Sequence, residues 1–225
     1  MGIDTLLKIG IWAVPVLFSI VIHEVSHGWV AHRLGDRTAK SMGRLTLNPV
    51  PHIDPVGTII LPLIMIIMGG PVFGWAKPVP FNPYQFRQDV DIKRGTMLVA
   101  LSGPLSNFTI AFGASFLFIF AQKFLSWLPA LLYISLLQLA QALIFINLIL
   151  GSFNLIPIPP LDGSKVIMGL LPDKLVPHYL MLERYGFLII VILLATGAFS
   201  GIIMGPVRFL YKVFTIIPAF LANLV

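Results

Sequence analysis

The sequence contains no cysteine and little charge, and each shortage removes classes of protein from consideration. Without cysteine there can be no disulfide bond, no thiolate metal ligand and no cysteine nucleophile. Only 11% of the 225 residues are charged and 57% are hydrophobic, whereas about a quarter of the residues of an ordinary soluble domain are charged. The composition therefore predicts a polytopic membrane protein, and because apolar runs recur along nearly the whole length, we expect residues 1–225 to form a single integral-membrane domain.

Acidic residues are also fewer than basic ones, 9 against 15, which gives a formal net charge of +6. An excess of this sign can indicate a nucleic-acid partner, but here the basic residues stand in short clusters beside apolar runs, as the positive-inside effect predicts. We therefore expect the lipid bilayer, and no nucleic acid, among the partners. A compact chain without cysteine best fits a prokaryotic cell membrane.

The first apolar run extends from Leu6 to Leu34 and ends in a basic stretch that includes Arg33, Arg37 and Arg44. A helix needs about 20 apolar residues to cross the hydrocarbon core, so this run is long enough. Basic flanks lie preferentially in the cytoplasm. This predicts an N-terminus outside the membrane and places residues 23–27 in the cytoplasmic half.

The remaining apolar runs predict an all-α fold of about five to six hydrophobic helices. Two long runs between Gly95 and Leu161 are separated by a turn near Lys123, the only charged residue between those limits, and predict a helical hairpin. A further span is predicted from about Phe187 to Met204. The last apolar stretch, Val213–Val225, could span the membrane or lie at its interface.

Between the first helix and the segment that starts at Gly95, the chain is rich in proline and glycine. The stretches "GRLTLNPVPHIDPVG" and "GWAKPVPFNP" cannot form regular helices. The apolar patch between them, about Ile59–Gly70, contains Pro62 and is short for a span, and both of its flanks are basic. This favours a membrane-dipping β or re-entrant region over a short tilted pair of spans, since non-helical backbone at that depth must be buried in protein or line a wet cavity.

The stretch "HEVSH" places two histidines and a glutamate in the first membrane helix. His23 and His27 are four residues apart, so on a helix they lie on one face and can share a metal ion. Glu24 lies beside them and is free to act on a water molecule at that metal. This is the H-E-x-x-H pattern of zinc hydrolases, and ionisable groups within a membrane helix are usually functional because burying them is costly. The alternative is a set of polar residues that reach from the helix end to the interface.

Catalytic zinc usually takes three protein ligands, so a third is expected elsewhere. Most of the acidic residues stand in basic or polar stretches, but Asp162 follows an apolar span through "PIPPL" and precedes Gly163. That context suits a helix broken at membrane depth with its carboxylate turned inward. It also suits a helix N-cap. Asp54, close to His52, is the second candidate, although these two residues could simply structure the Pro-rich turn.

Together, "HEVSH" and "NLIPIPPLDG" about 130 residues later resemble the paired signatures of the site-2 protease family, zinc metalloproteases that cut peptide bonds within the membrane. The stretch "GPLSN", Gly103–Asn107, is similar to another recurring pattern of that family. The resemblance extends from about Ile11 to Val166. It is to the small, minimal members, because the chain leaves no room for the PDZ or CBS domains of larger relatives.

The resemblance implies a role for each of these site residues. His23, His27 and Asp162 would bind one Zn²⁺ ion per chain, and Glu24 would be the general base and acid. Asn154 would help to hold the substrate or polarise its carbonyl group, although an interhelical hydrogen bond is an equal interpretation of that residue. The resemblance also implies that the Pro-rich stretches form a membrane-dipping β structure that holds the substrate as an added strand.

The sequence therefore predicts an intramembrane zinc metalloprotease whose partner is a transmembrane protein or peptide substrate. The alternative is a membrane metal-ion transporter that uses the same His and Asp ligands, which would not need Glu24 as a base and would favour several relayed sites. A catalytically silent adaptor and a lipid hydrolase with the same metal chemistry also remain open. The sequence specifies neither the physiological substrate nor the oligomeric state.

The ligand prediction is tested by the zinc content of the purified protein. We expect one zinc ion per chain in the wild type and a loss of zinc in His23→Ala and in Asp162→Ala, because each substitution removes one of three predicted ligands. Cleavage of a generic transmembrane substrate is measured on the same preparations. A variant that retains the full zinc content would remove that residue from the ligand set.

Overall fold

The computed structural model describes residues 3–67 and 74–223, and α-helices make up most of both ranges. Short turns of tighter or wider helix lie at Val50–His52, Pro55–Ile60 and Pro83–Gln85. The α-helices of these ranges are α1 (Ile3–Arg33), α2 (Thr38–Ser41), α3 (Leu61–Ile67), α4 (Ile92–Phe124), α5 (Ala130–Asn154), α6 (Asp162–Leu170), α7 (Val176–Leu180), α8 (Glu183–Ala195) and α9 (Ala198–Ala222).

Four helices of the described ranges are long and apolar enough to cross a membrane: Gly10–Arg33 of α1, together with α4, α5 and α9. Many of their large apolar side chains, such as Trp12, Leu131 and Phe220, are exposed on the outside of the bundle, where lipid rather than water is the solvent. The predicted all-α polytopic membrane fold is confirmed. The described ranges also contain two shorter apolar helical stretches, Pro55–Met65 and α8.

Helix α4 lies at the centre of the bundle and packs against α1, α5, α6 and α9. The core between α4, α5 and α9 combines small residues with branched ones, including Ala111, Ile144, Leu148 and Val207. Small residues allow two helices to approach closely and to make many van der Waals contacts. Such contacts stabilise helix packing in a membrane, because the hydrophobic effect does not favour helix association in lipid. The predicted hairpin is present as α4 and α5, joined by the turn after Phe124.

The predicted span from Phe187 to Met204 is wrong. Helix α8 ends at Ala195, Gly197 adopts the left-handed conformation with φ of 72°, and α9 begins at Ala198. A glycine takes that conformation without steric cost, and it is the usual way to end a helix. The span is α9 instead, and the described part of Val213–Val225 forms its last turns, while residues 224 and 225 lie outside the described ranges.

The chain just before the apolar patch contacts the chain that follows residues 68–73. The backbone N–H of Trp75 donates to Gly57 O at 3.1 Å, and the Thr58 hydroxyl donates to Trp75 O at 2.9 Å. The helical stretch Pro55–Met65 combines the wider helical turn with part of α3. Even at the α-helical rise of about 1.5 Å per residue, it would cover only roughly half of a ~30 Å hydrocarbon core. This geometry agrees with a segment that dips and returns, although residues 68–70 of the predicted patch lie outside the described ranges.

The β structure that the resemblance implied for this region is not formed in the described residues, which contain no β-strand. Residues 74–82 are extended, but Pro78 and Pro80 lack an N–H group and cannot donate to a ladder. The neighbouring N–H groups bond to separate partners instead, such as Lys77 N to His52 O at 2.9 Å. The segment is therefore an extended chain held by individual hydrogen bonds to separate partners and not by a strand ladder.

Helix α8 is tightly apposed to the loop before α6, which gives a test of the fold. A Cβ atom on Gly186 would overlap the carbonyl oxygen of Pro159, whereas Gly201 in α9 has open space around it. We expect Gly186→Ala to lower stability by about 1–3 kcal/mol, the usual cost of overpacking. Gly201→Ala is the matched control and should be neutral or stabilising, because alanine favours a helix. Thermal unfolding in detergent measures both, and equal midpoints would contradict the close α8–loop contact.

Candidate metal centre

The structure brings His23, His27 and Asp162 together at the junction of α1 and α6. The Nε2 atoms of the two histidines are 3.1 Å apart, and Asp162 Oδ2 lies 3.1 Å from His23 Nε2 and 3.2 Å from His27 Nε2. The three residues are 4%, 8% and 8% exposed. Asp162, the predicted third ligand, thus lies beside the two histidines of α1, although 139 residues separate it from His23.

The other nitrogen of each imidazole is held by α4. His23 Nδ1 lies 2.6 Å from Asn107 Oδ1, and His27 Nδ1 lies 2.7 Å from the carbonyl oxygen of Val99. Because both partners are acceptors, each Nδ1 must carry a proton and donate, and in the neutral imidazole this leaves a lone pair on Nε2.

Two imidazole lone pairs and a carboxylate oxygen therefore face one another in a buried space. Three acceptors at this separation repel unless a proton or a metal ion lies among them, and two histidines with one carboxylate are a ligand set typical of catalytic zinc. The outer hydrogen bonds, from His23 to Asn107 and from His27 to Val99, match the second-shell support that metal-bound histidines usually have. The residues present thus fit a zinc ion, and their role as its ligands stays a prediction.

Sequence reasoning missed the polar network behind His23. Asn107 Nδ2 donates to Asn147 Oδ1 at 2.8 Å, and Asn147 Nδ2 donates to Ser19 Oγ at 2.7 Å. Ser19, Asn107 and Asn147 are fully buried and belong to α1, α4 and α5. An asparagine within an apolar span is itself a signal, since polar groups there need a partner, but sequence does not say which partner.

Gly103 permits the close approach of α4 to the two histidines. A Cβ atom at this position would lie 2.5 Å from His27 Nε2 and 2.6 Å from His23 Cε1. Any side chain there would push the imidazoles or the helix away. The close packing therefore explains why glycine is required at the first position of "GPLSN".

Asp162 enters the centre from the loop that joins α5 to α6. It is the first residue of α6, and its side chain makes no capping hydrogen bond; Leu161 occupies the N-cap position. The N-cap interpretation of Asp162 therefore does not apply. Gly163 packs so tightly on the carbonyl groups of Leu155 and Ile156 that a Cβ atom would overlap them, and this contact fixes where Asp162 starts the helix.

Asp54, the second candidate ligand, lies outside the centre. Its Oδ1 accepts from Val56 N at 3.0 Å and from Gly57 N at 2.7 Å, so it caps the helical turn that follows. His52 Nε2 is 3.0 Å from Thr46 O. These two residues structure the Pro-rich turn, as the alternative interpretation held. In the described ranges, His23, His27 and Asp162 form the only group of three potential metal ligands.

Glu24 lies next to His23 and faces the same cavity of about 160 Å³ as all three candidate ligands. Its Oε2 accepts a hydrogen bond from the backbone N–H of Val79 at 2.8 Å. Asn154 lines this cavity as well, while its Nδ2 donates to Leu150 O at 3.0 Å within α5. The structure therefore places both residues beside the centre, and their catalytic roles remain predictions.

The extended segment that carries Val79 is itself fixed by buried charges. Arg44, 5% exposed, donates from Nη2 to Lys77 O at 2.7 Å and to Pro78 O at 3.2 Å. Asp36, 1% exposed, accepts from Asn82 N at 2.7 Å. These side chains hold the segment from both ends, and thereby hold Val79 against Glu24.

Comparison with known proteins points to one family. The sequence profile of peptidase family M50 matches residues 129–197, which include Asn154 and Asp162. The Bacillus subtilis (strain 168) protein named "Putative zinc metalloprotease YwhC" is 38% identical over 183 residues, or 81% of this chain and 79% of that protein.

Two further relatives carry similar names. The Methanocaldococcus jannaschii protein named "Putative zinc metalloprotease MJ0611" is 39% identical over 154 residues, which cover 68% of this chain and 71% of the relative. The Mycolicibacterium smegmatis protein named "Putative zinc metalloprotease Rip2" is 28% identical over 187 residues, which cover 82% of this chain and 66% of the relative. No solved structure matches this chain significantly.

The contact at Gly103 gives a prediction with a matched control in the same helix. We expect Gly103→Ala to weaken zinc retention by about tenfold or more, the scale on which disturbed outer-shell support acts, because its methyl group displaces the imidazoles. Gly113→Ala, with open space around residue 113, should retain zinc as the wild type does. Competition with a chelator measures both affinities, and equal affinities would contradict the proposed crowding.

Proposed function

This chain belongs to peptidase family M50, the site-2 protease family, and we propose that it is a zinc metalloprotease that hydrolyses peptide bonds of transmembrane protein substrates. It is an integral membrane protein, with four helices able to cross the bilayer among its described residues. The observation that carries the proposal is the convergence of His23, His27 and Asp162 on one buried point beside Glu24.

His23, His27 and Asp162 would hold one zinc ion per chain, which supplies a Lewis acid that polarises a carbonyl group and lowers the pKa of a bound water towards about 7. Asn107 and Val99 accept the Nδ1 protons of the two histidines and keep both Nε2 atoms turned inward. These contacts set the tautomers before any substrate arrives, so the ligands need no reorganisation on binding.

Glu24 is the proton carrier in this proposal. Its carboxylate takes a proton from the attacking water and returns it to the leaving amine. The hydrogen bond from Val79 N–H to Oε2 fixes the orientation of the carboxylate, which leaves the Oε1 atom for the proton. The general-base assignment thus depends on one backbone contact as well as on the helix.

Asn154 lies where it can contact the substrate backbone, since it lines the cavity shared by His23 and Glu24. In this role its amide would hold the substrate or polarise the scissile carbonyl, after giving up the bond to Leu150 O. A substrate helix hides its peptide groups, so the substrate must be extended at this point. The extended segment 74–82 would bind it along its own length.

We infer the orientation of the protein in the membrane from the distribution of its charges. Arg33, Arg37 and Arg44 lie at the end of the bundle that holds the centre, whereas Lys123 lies at the opposite end and donates to Ala222 O. By the positive-inside effect, the N-terminus is outside and the centre is in the cytoplasmic half of a prokaryotic cell membrane. Water would reach the polar groups of the centre from that side.

A metal-ion transporter that uses the same ligands is the weaker alternative. A transport path favours several relayed metal sites, and the described residues contain one group of three potential ligands. Uptake of zinc into vesicles without any peptide cleavage would favour transport.

The role of Glu24 is tested by Glu24→Gln. We expect the variant to bind zinc normally, since Glu24 is not a ligand, and to lose cleavage by at least a hundredfold, the usual contribution of a positioned general base. Glu183→Gln, at an exposed position on α8, is the control and should cleave like the wild type. Cleavage of a transmembrane substrate in detergent is measured together with zinc content. Activity retained in Glu24→Gln would contradict the assignment of Glu24 as the general base.

A further inference from the structure

Two cavities of different character meet at the candidate catalytic centre. The larger, of about 470 Å³, is lined by apolar residues of α1, α5 and α8, namely Ile20, Leu150, Phe153, Phe187 and Ile190. The smaller, of about 160 Å³, contains the candidate metal ligands and extends to Lys165 of α6. His23, Glu24 and Asn154 line both cavities. A substrate whose peptide bond lies at Glu24 therefore has the side chain before the bond in one cavity and the side chain after it in the other.

Lys165 gives the smaller cavity its cation. It lies three residues after Asp162 and so shares a face of α6 with that ligand. Its Nζ is 5.4 Å from the centre of the Phe81 ring, which means that the side chain leans from α6 across the cavity towards segment 74–82. Lys165 thus stands between the two elements that border the centre on its polar side.

Within the described ranges, the Lys165 ammonium group has no carboxylate within ion-pair distance and no hydrogen-bond acceptor. Lys93, by contrast, lies 2.7 Å from Asp173 Oδ1, and this pairing holds the pKa of the Asp173 carboxyl below its usual range. A half-buried cation that lines a cavity and has no carboxylate within ion-pair distance favours an anion from outside the chain, because desolvation without an anionic partner is costly.

We propose that Lys165 selects an acidic side chain on one side of the scissile bond, while the apolar cavity takes a large apolar side chain on the other. This inference rests on the proposed protease function and adds a substrate class to it. An acidic residue next to an apolar run occurs where a transmembrane segment leaves the hydrocarbon core. The preferred cleavage site is therefore at the end of a substrate helix and not at its middle.

The test uses peptides that differ in one residue. Each peptide has leucine on one side of the cleaved bond and Glu, Gln or Lys on the other, and a second set exchanges the two sides. We expect the wild type to cleave the Glu peptide of one set at least tenfold more efficiently than the Gln peptide, the scale of a hydrogen bond to a charged group. The Lys peptide should be cleaved least.

Variants of Lys165 then connect the preference to this side chain. Lys165→Met should bring the Glu-to-Gln ratio of kcat/KM close to one, Lys165→Glu should reverse the preference in favour of the Lys peptide, and Lys165→Arg should keep it. Lys174→Met, which removes an exposed lysine outside the cavity, is the control and should leave the ratio unchanged. A wild type that does not distinguish Glu from Gln, or a ratio unaltered in Lys165→Met, overturns the inference.

Binding separates this inference from the proposed function. If the wild type cleaves none of the peptides, the protease proposal fails, and the preference is read instead from binding of the same peptides, fluorescently labelled, to the Glu24→Gln protein in detergent. Tighter binding of the Glu peptide, lost in a Glu24→Gln, Lys165→Met double variant, supports the role of Lys165 without any turnover. Equal affinity for the Glu and Gln peptides overturns it.

Discussion

Two hydrogen bonds from imidazole Nδ1 atoms to α4 determine the chemistry of the whole centre. They reach Asn107 Oδ1 and Val99 O, and together they turn both Nε2 lone pairs towards Asp162. These bonds require α4 to lie against α1, and Gly103 permits that distance because any side chain there would meet the rings. The central position of α4 is thus a condition of the site as well as of the bundle.

The bilayer makes this arrangement demanding, because buried polar groups in hydrocarbon find no water to bond with. The side chains of Asn107, Asn147 and Ser19 satisfy one another across three helices. Removing one of them would break a side-chain hydrogen bond of its neighbour at membrane depth, so the network ties the assembly of the bundle to the orientation of His23. The same hydrogen bonds therefore contribute both to the stability of the bundle and to the geometry of the candidate ligands.

The sequence carried more information on the candidate ligands than on the residues that surround them. A spacing of four residues places His23 and His27 on one helix face whatever the tertiary structure is, and Asp162 stood out because its neighbours are apolar. Asn107 could not be assigned to His23, since nothing local encodes a contact over 84 residues. Hydropathy also joined α8 to α9, because Gly197 interrupts the helix without interrupting the apolar run. Lys165 was unremarkable until α6 was placed beside the cavity.

The hydrogen bond between Val79 and Glu24 has a consequence for how this protein can change over evolution. One short extended segment, fixed by Arg44 and Asp36, both orients the carboxylate and forms a wall of each cavity. In the proposed mechanism, a substitution that reshapes the segment to fit another substrate therefore also moves Glu24, the proposed proton carrier. In the proposed protease, specificity and rate are therefore coupled through this segment, whereas α8 borders the larger cavity and carries neither Glu24 nor Asp162.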